Sequence, residues 1–166
     1  MGKEIERRFL VKDGLTFDAW NKISICQGYF PCSNPSIRIR ISMPNSPSLL
    51  ASTGTGTITI KSKDTGFTKH EFEYQVPPKE AEEILLLYCD KRIITKNRHL
   101  IKLGNHIWEV DEFTGLNYGL TIAEVELSSE NEEIEMPDWI DEEITGISKY
   151  SNHSLALKNE KTWKNS

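Results

Sequence analysis

The chain has 166 residues, 37% hydrophobic and 27% charged, with a formal net charge of −5. These figures suit a globular protein with one sizeable core, contain no apolar run long enough for a membrane-spanning helix, and disfavour nucleic acid and anionic membranes, which bind through summed positive potential. Its three cysteines, Cys26, Cys32 and Cys89, make no C-x-x-C pair and are expected to be structural thiols rather than disulfides or zinc ligands.

The start of the chain, with no apolar signal core and Glu6 where a myristoylation signal needs Ser or Thr, predicts a cytoplasmic protein; residues 1–166 are expected to form one domain. The first predicted strand, Glu4-Ile5-Glu6-Arg7-Arg8-Phe9-Leu10-Val11, places Glu4, Glu6 and Arg8 on one face and Ile5, Phe9 and Val11 on the other. Residues 13–22 carry Leu15, Phe17 and Trp20 at roughly helical spacing and predict a short helix. Residues 23–30 alternate as a strand in which Tyr29 and Phe30 are expected to pack. Ile37-Arg38-Ile39-Arg40-Ile41 is the clearest strand, arginines on one face and isoleucines on the other.

Residues 42–56, crowded with Pro, Ser, Asn and Gly, predict a long flexible loop. Residues 57–63 resume the alternation with Lys61 and Lys63, Gly66 turns the chain, and residues 69–76 return with Lys69, Glu71 and Glu73 together. Pro77 and Pro78 open a helix expected over 78–91, whose stripe Ala81, Ile84, Leu85 and Tyr88 should cover a sheet face. Then come strands over 92–103 with Lys96 and Arg98, 106–113 with Glu109 and Asp111, and 122–127 with Glu124 and Glu126. The acidic stretch 130–143 is predicted to be loop followed by a short solvated helix, and 151–163 a terminal helix.

About eight alternating strands predict a mainly antiparallel α+β fold, an eight-stranded closed barrel with covering helices. The polar faces are segregated by sign in six i, i+2 doublets, from Glu4 and Glu6 to Glu124 and Glu126, whereas a solvated surface mixes signs. Pointed inward, the doublets line a wet lumen of opposed acids and bases, with the apolar faces outward under the helices; such charges are tolerable inside only when paired or ligated. Paired carboxylates are hard oxygen donors for Mg²⁺ or Mn²⁺, and arginine and lysine doublets grip phosphate oxygens. Together they describe phosphoryl transfer. No P-loop or nucleophile elbow is present, and His70, His99, His106 and His153 are expected to pack or face solvent.

Glu4-x-Glu6-x-Arg8 is similar to the E-x-E-x-K signature of the CYTH superfamily, the triphosphate tunnel metalloenzymes. Gln27-Gly28-Tyr29, Arg38-Ile39-Arg40, Thr59-Ile60-Lys61, Glu71-Phe72-Glu73-Tyr74, Lys96-Asn97-Arg98, Trp108-Glu109-Val110-Asp111, Gly119-Leu120, Ala123-Glu124-Val125-Glu126-Leu127 and Lys149-Tyr150-Ser151-Asn152 resemble its later motifs in order. The resemblance implies a charged barrel that hydrolyses the terminal phosphate of tripolyphosphate, and of nucleoside triphosphates as a further substrate class. Thiamine triphosphatase, class IV adenylyl cyclase and non-catalytic polyphosphate binding are the alternatives it leaves open. It implies Mg²⁺ or Mn²⁺ held by Glu4, Glu6, Asp111, Glu124 and Glu126, and substrate gripped by Arg38, Arg40, Lys61, Lys63, Lys69 and Arg98. Glu4, Glu6 and Arg8 would carry catalysis, with Glu71, Glu73 and Glu109 in support, in a monomer or homodimer. Arg8 departs from the signature lysine, preserving charge but being a far poorer acid.

Overall fold

The structure, a computed structural model, describes residues 5–17, 22–32, 35–44, 54–61, 71–157 and 163. Among them run β1 (Ile5–Val11), β2 (Lys22–Tyr29), β3 (Ser36–Pro44), β4 (Thr55–Lys61), β5 (Glu71–Val76), α1 (Pro78–Tyr88), β6 (Ile93–Leu103), β7 (His106–Phe113), β8 (Thr121–Leu127), β9 (Ile140–Glu143) and α2 (Asn152–Leu157). The strands pair antiparallel in the order β5-β4-β3-β2-β6-β7-β8-β1-β9. The antiparallel sheet is as expected, but no ladder joins β5 to β9, so among the described residues hydrogen bonds do not close it into a barrel.

The outer face is built from the apolar phase of each strand. Ile39, Ile41 and Met43 of β3 pack with Ala81 and Leu85 of α1, as the helical stripe predicts. The helix comes so close to β2 that a Cβ on Gly28 would lie 2.7 Å from Cys89 Sγ. It ends at Tyr88, short of the expected Lys91, because Asp90 and Lys91 take positive φ angles of 39° and 62° that leave the right-handed helix. The rest of the outer face gathers Phe9, Trp108, Val110, Ala123 and Val125, and its cover is Phe17, Ile134 and Trp139 rather than a helix.

One predicted helix changes and another falls partly outside the described residues. Of the short helix expected over 13–22, residues 18–21 lie outside them, Trp20 included, while 13–14 form a turn and Phe17 packs onto this core. The end of the acidic stretch is β9, because β1 has a second free edge: Ile144 N donates to Arg8 O at 2.8 Å, and Arg7 pairs with Glu143 at 2.6 Å. Most of the predicted loop over 42–56 lies outside the described residues, but β3 runs through Pro44 and β4 starts at Thr55, so its ends are strand. The turn at Gly66 also lies outside them. Of the predicted terminal helix over 151–163, Asn152–Leu157 is described, as α2, and residues 158–162 lie outside the described residues.

A third cluster occupies the concave face. Tyr29, Ile94, Phe113, Leu120 and Ile122 pack with Ile144, Tyr150, Leu155 and Ala156, so α2 and the 3-10 turn Ser148–Tyr150 fill one end of the trough. No described helix is long and apolar enough to cross a membrane.

Candidate functional site

The period-2 alternation sends the charged phase of the strands to the concave face, and register decides which charges meet. Glu6 lies opposite Glu126, and Arg8 opposite Glu124. Glu109 is also opposite Glu124, and Arg98 is opposite Asp111. On the other flank Arg38 faces Thr59, Lys61 faces Glu71, and Thr59 faces Glu73. A cavity of about 520 Å³ opens between these flanks, lined on one side by Glu6, Arg8, Arg98, Glu124 and Glu126 and on the other by Ser36, Arg38, Arg40, Thr59, Lys61 and Glu71, with Tyr29, Ser151, Asn152 and His153 at its inner end.

Most of the cations are partnered. Arg8 Nε donates to Glu124 Oε1 at 2.9 Å and its NH2 to Tyr150 O at 3.2 Å. Lys61 pairs with Glu71 at 2.7 Å. Arg38 donates to Thr59 Oγ1 at 3.0 Å and lies 3.6 Å from Glu73 Oε2, while its buried Nε has no hydrogen-bond partner among the described residues. Below the cavity floor, Lys96 donates to Asp111 and, at 3.3 Å, to Asn152 Oδ1. Arg98 clasps Asp111 through Nε at 2.7 Å and NH2 at 2.8 Å, and pairs with Glu109.

Burial alone would raise the Asp111 carboxyl, but Lys96 and Arg98 outweigh it and hold the group below the usual carboxylate range. Burial lowers the Lys96 ammonium although Asp111 pulls the other way. Burial raises the Glu109 carboxyl against the pull of Arg98. Arg40 differs from the other cations: burial, then Arg38 and Arg98, bring its guanidinium down to about 10. Its hydrogen-bond partner is the neutral amide of Gln27, at 3.1 Å.

The structure brings Glu6, Arg8, Arg38, Arg40, Lys61, Glu71, Arg98, Glu124 and Glu126 to one cavity. Glu73, Glu109 and Asp111 touch it through Thr59 and Arg98 rather than lining it. Glu4, Lys63 and Lys69 lie outside the described residues, as does His70. Tyr29, read from sequence as packing, lines the cavity while also contributing to the core. His153, expected to pack or face solvent, lines it as well and meets the Tyr29 ring edge-on at 5.1 Å. Sharing the alternation phase of Gln27 was the signal available for Tyr29; His153 had none, because α2 is brought there by tertiary packing. Of the other two described histidines, His99 is buried against Glu112 and His106 meets Glu132, both away from the cavity.

The lining acids Glu6, Glu124 and Glu126 offer carboxylate oxygens, the donor type that suits a hard divalent cation. Among the described residues no three His, Cys, Asp or Glu side chains gather closely enough to hold a metal ion. Glu4, which shares their phase in the sequence, is not among them. Both oxygens of Asp111 are taken by Lys96 and Arg98.

The chain is 38% identical over 165 residues, 99% of each chain, to an inorganic triphosphatase of Acetivibrio thermocellus. It is 31% identical over 160 residues, 93% of this chain and 97% of the other, to an inorganic triphosphatase of Nitrosomonas europaea. The crystal structure of an inorganic triphosphatase matches the fold with a TM-score of 0.67 at 29% identity, covering 93% of this chain and 98% of that one. The family model of the CYTH domain matches residues 2–159, and with the sign-segregated concave face already in view, the chain belongs to the CYTH family.

Proposed function

We propose that the protein is a metal-dependent triphosphatase that removes the terminal phosphate of tripolyphosphate, with nucleoside triphosphates as a further substrate class. The observation that carries this reading is a single cavity in which Arg38, Arg40, Lys61 and Arg98 face Glu6, Glu124 and Glu126 across a gap of about 520 Å³. Its relatives named as inorganic triphosphatases support the same substrate class.

The cationic flank binds a polyanion in place of the water that would otherwise solvate those groups, and the guanidinium forks orient it by paired hydrogen bonds. Lys63 and Lys69 extend that flank in the sequence. Glu6, Glu124 and Glu126, with Glu4, would hold Mg²⁺ or Mn²⁺, which when bound neutralises phosphate oxygens and lowers the pKa of a coordinated water. We assign Asp111 to holding Lys96 and Arg98, since both its oxygens serve them. Glu71 and Glu73 hold Lys61 and Arg38 in the same way, and Glu109 steadies Arg98. Arg8 is fixed between Glu124 and the Tyr150 carbonyl, and its guanidinium supplies position and charge. A small-molecule substrate, action as monomer or homodimer, and a cytoplasmic location consistent with three free thiols complete the reading.

Phosphate release from tripolyphosphate, pyrophosphate, ATP and thiamine triphosphate with Mg²⁺ or Mn²⁺, with cyclic AMP assayed in the ATP reaction, tests it. Tripolyphosphate should be the best substrate, and Glu6→Gln or Glu126→Gln should cost about 100-fold or more in turnover with the fold intact. Tight tripolyphosphate binding without turnover would make the tunnel a receptor. Near-normal turnover in both variants would remove the acids from the site.

A further inference from the structure

Gln27 is fully buried on β2, on the concave phase and directly opposite Arg40 of β3. Its amide oxygen accepts from Arg40 Nε at 3.1 Å, and its amide nitrogen donates to the Tyr29 hydroxyl at 2.9 Å. The orientation is forced: a guanidinium can only donate, so the atom facing Arg40 is the oxygen, and the nitrogen must take the hydroxyl. The side chain is therefore tethered at both ends.

What it tethers is the exception among the described cations that line the cavity. Arg8 has Glu124, Arg38 has Glu73, Lys61 has Glu71, and Arg98 has Asp111 and Glu109. Arg40 has an amide where each of those has a carboxylate. A glutamate of the same shape at position 27 would have satisfied the same Nε–H and cancelled the charge. The amide satisfies the donor and adds no counter-charge, in a place where burial and the like charge of Arg38 and Arg98 outweigh the pull of Tyr29 and Asp111.

We propose that Gln27 is a positioning residue for the polyanion: it aims the Arg40 guanidinium into the cavity while leaving its charge uncancelled, so that a substrate phosphate becomes the counter-ion. This inference rests on the triphosphatase reading of the tunnel and adds what sets its affinity. The side chain touches no substrate, and it acts through Arg40.

The test is Gln27→Glu, isosteric and charge-changing, in the full chain. Its KM for tripolyphosphate should rise by about tenfold or more while kcat changes far less, and the Kd measured by calorimetric titration should follow KM. Gln27→Met, which keeps volume and neutrality but frees Arg40, should raise KM by a smaller factor and serves if a buried glutamate prevents folding. In an Arg40→Met background Gln27→Met should not weaken binding further, since the contact that Gln27 serves is gone. Unchanged KM and Kd in both single variants would overturn the inference, as would a Gln27→Met loss that persists undiminished in the Arg40→Met background, the mark of a purely structural role. If the wild-type protein binds tripolyphosphate without turning it over, the triphosphatase reading fails and the same comparisons in Kd still decide this one. If it does not bind tripolyphosphate at all, both fail.

Discussion

The concave face has a charged end and an apolar end on the same strands, in the same alternation phase. On β8 the inward residues run Glu126, Glu124, Ile122, and on β1 they run Glu6, Arg8, Leu10. On β6 and β7 the change comes between Lys96 and Ile94 and between Asp111 and Phe113. At the apolar end α2 and Tyr150 cover the strands and contribute a core; at the charged end the cavity stays open. A face that is wet at one end can keep charges poised for a ligand only if its other end supplies the packing that the wet half forgoes.

That division predicts opposite signatures for substitutions at the two ends, and the largest effect lies at their border. Asp111→Asn should destabilise the fold by about 3–5 kcal/mol in chemical denaturation, because Lys96, buried beside it, would lose its ionised partner. Replacing Lys96 and Asp111 together with apolar residues should recover much of the loss; failure to recover would mean that the pair does more than satisfy itself. Leu155→Ala, at the apolar end, should cost about 2–5 kcal/mol by leaving a cavity under α2. If it instead lowered tripolyphosphate affinity with no loss of stability, the two ends would not be separable.

Arg40→Met should do the reverse. Its guanidinium is depressed from its ordinary value to about 10, so the folded state binds fewer protons than the unfolded chain above that pH, and the charged form costs stability at neutral pH. The variant should keep or raise Tm while tripolyphosphate affinity falls roughly 10- to 100-fold, and a lowered Tm would contradict this account.

Acid titration offers a subtler view of the border. Asp111 is held below its ordinary value, so its contribution is complete above the unfolded carboxylate range, near pH 4, and is lost as pH falls through the lower folded value. Asp111→Asn should therefore flatten the acid limb of the stability curve. The smallest effect is expected far from both ends: Arg7→Ala, which breaks a solvent-exposed pair with Glu143, should cost less than about 1 kcal/mol.

Much of this architecture was legible in the sequence because a strand's alternation is local: neighbouring residues alone decide that Ile37, Ile39 and Ile41 share one face and Arg38 and Arg40 the other. The helix beginning at Pro78 was legible for the same reason. The acidic stretch misled because its composition speaks for solvent, while β1's unpaired edge, more than a hundred residues away, drew residues 140–143 into the sheet.

The sequence by itself determined the strands, their two phases, the sign of each charged doublet and the class of anion such doublets suit, since all of these follow from residue type and a period of two. Only the tertiary structure decided that, among the described residues, no ladder joins β5 to β9, that α2 brings Asn152 and His153 to the cavity, and that Gln27 meets Arg40. Those outcomes depend on register and on packing between segments remote in the chain, where a shift of one residue would send every one of these side chains to the other face.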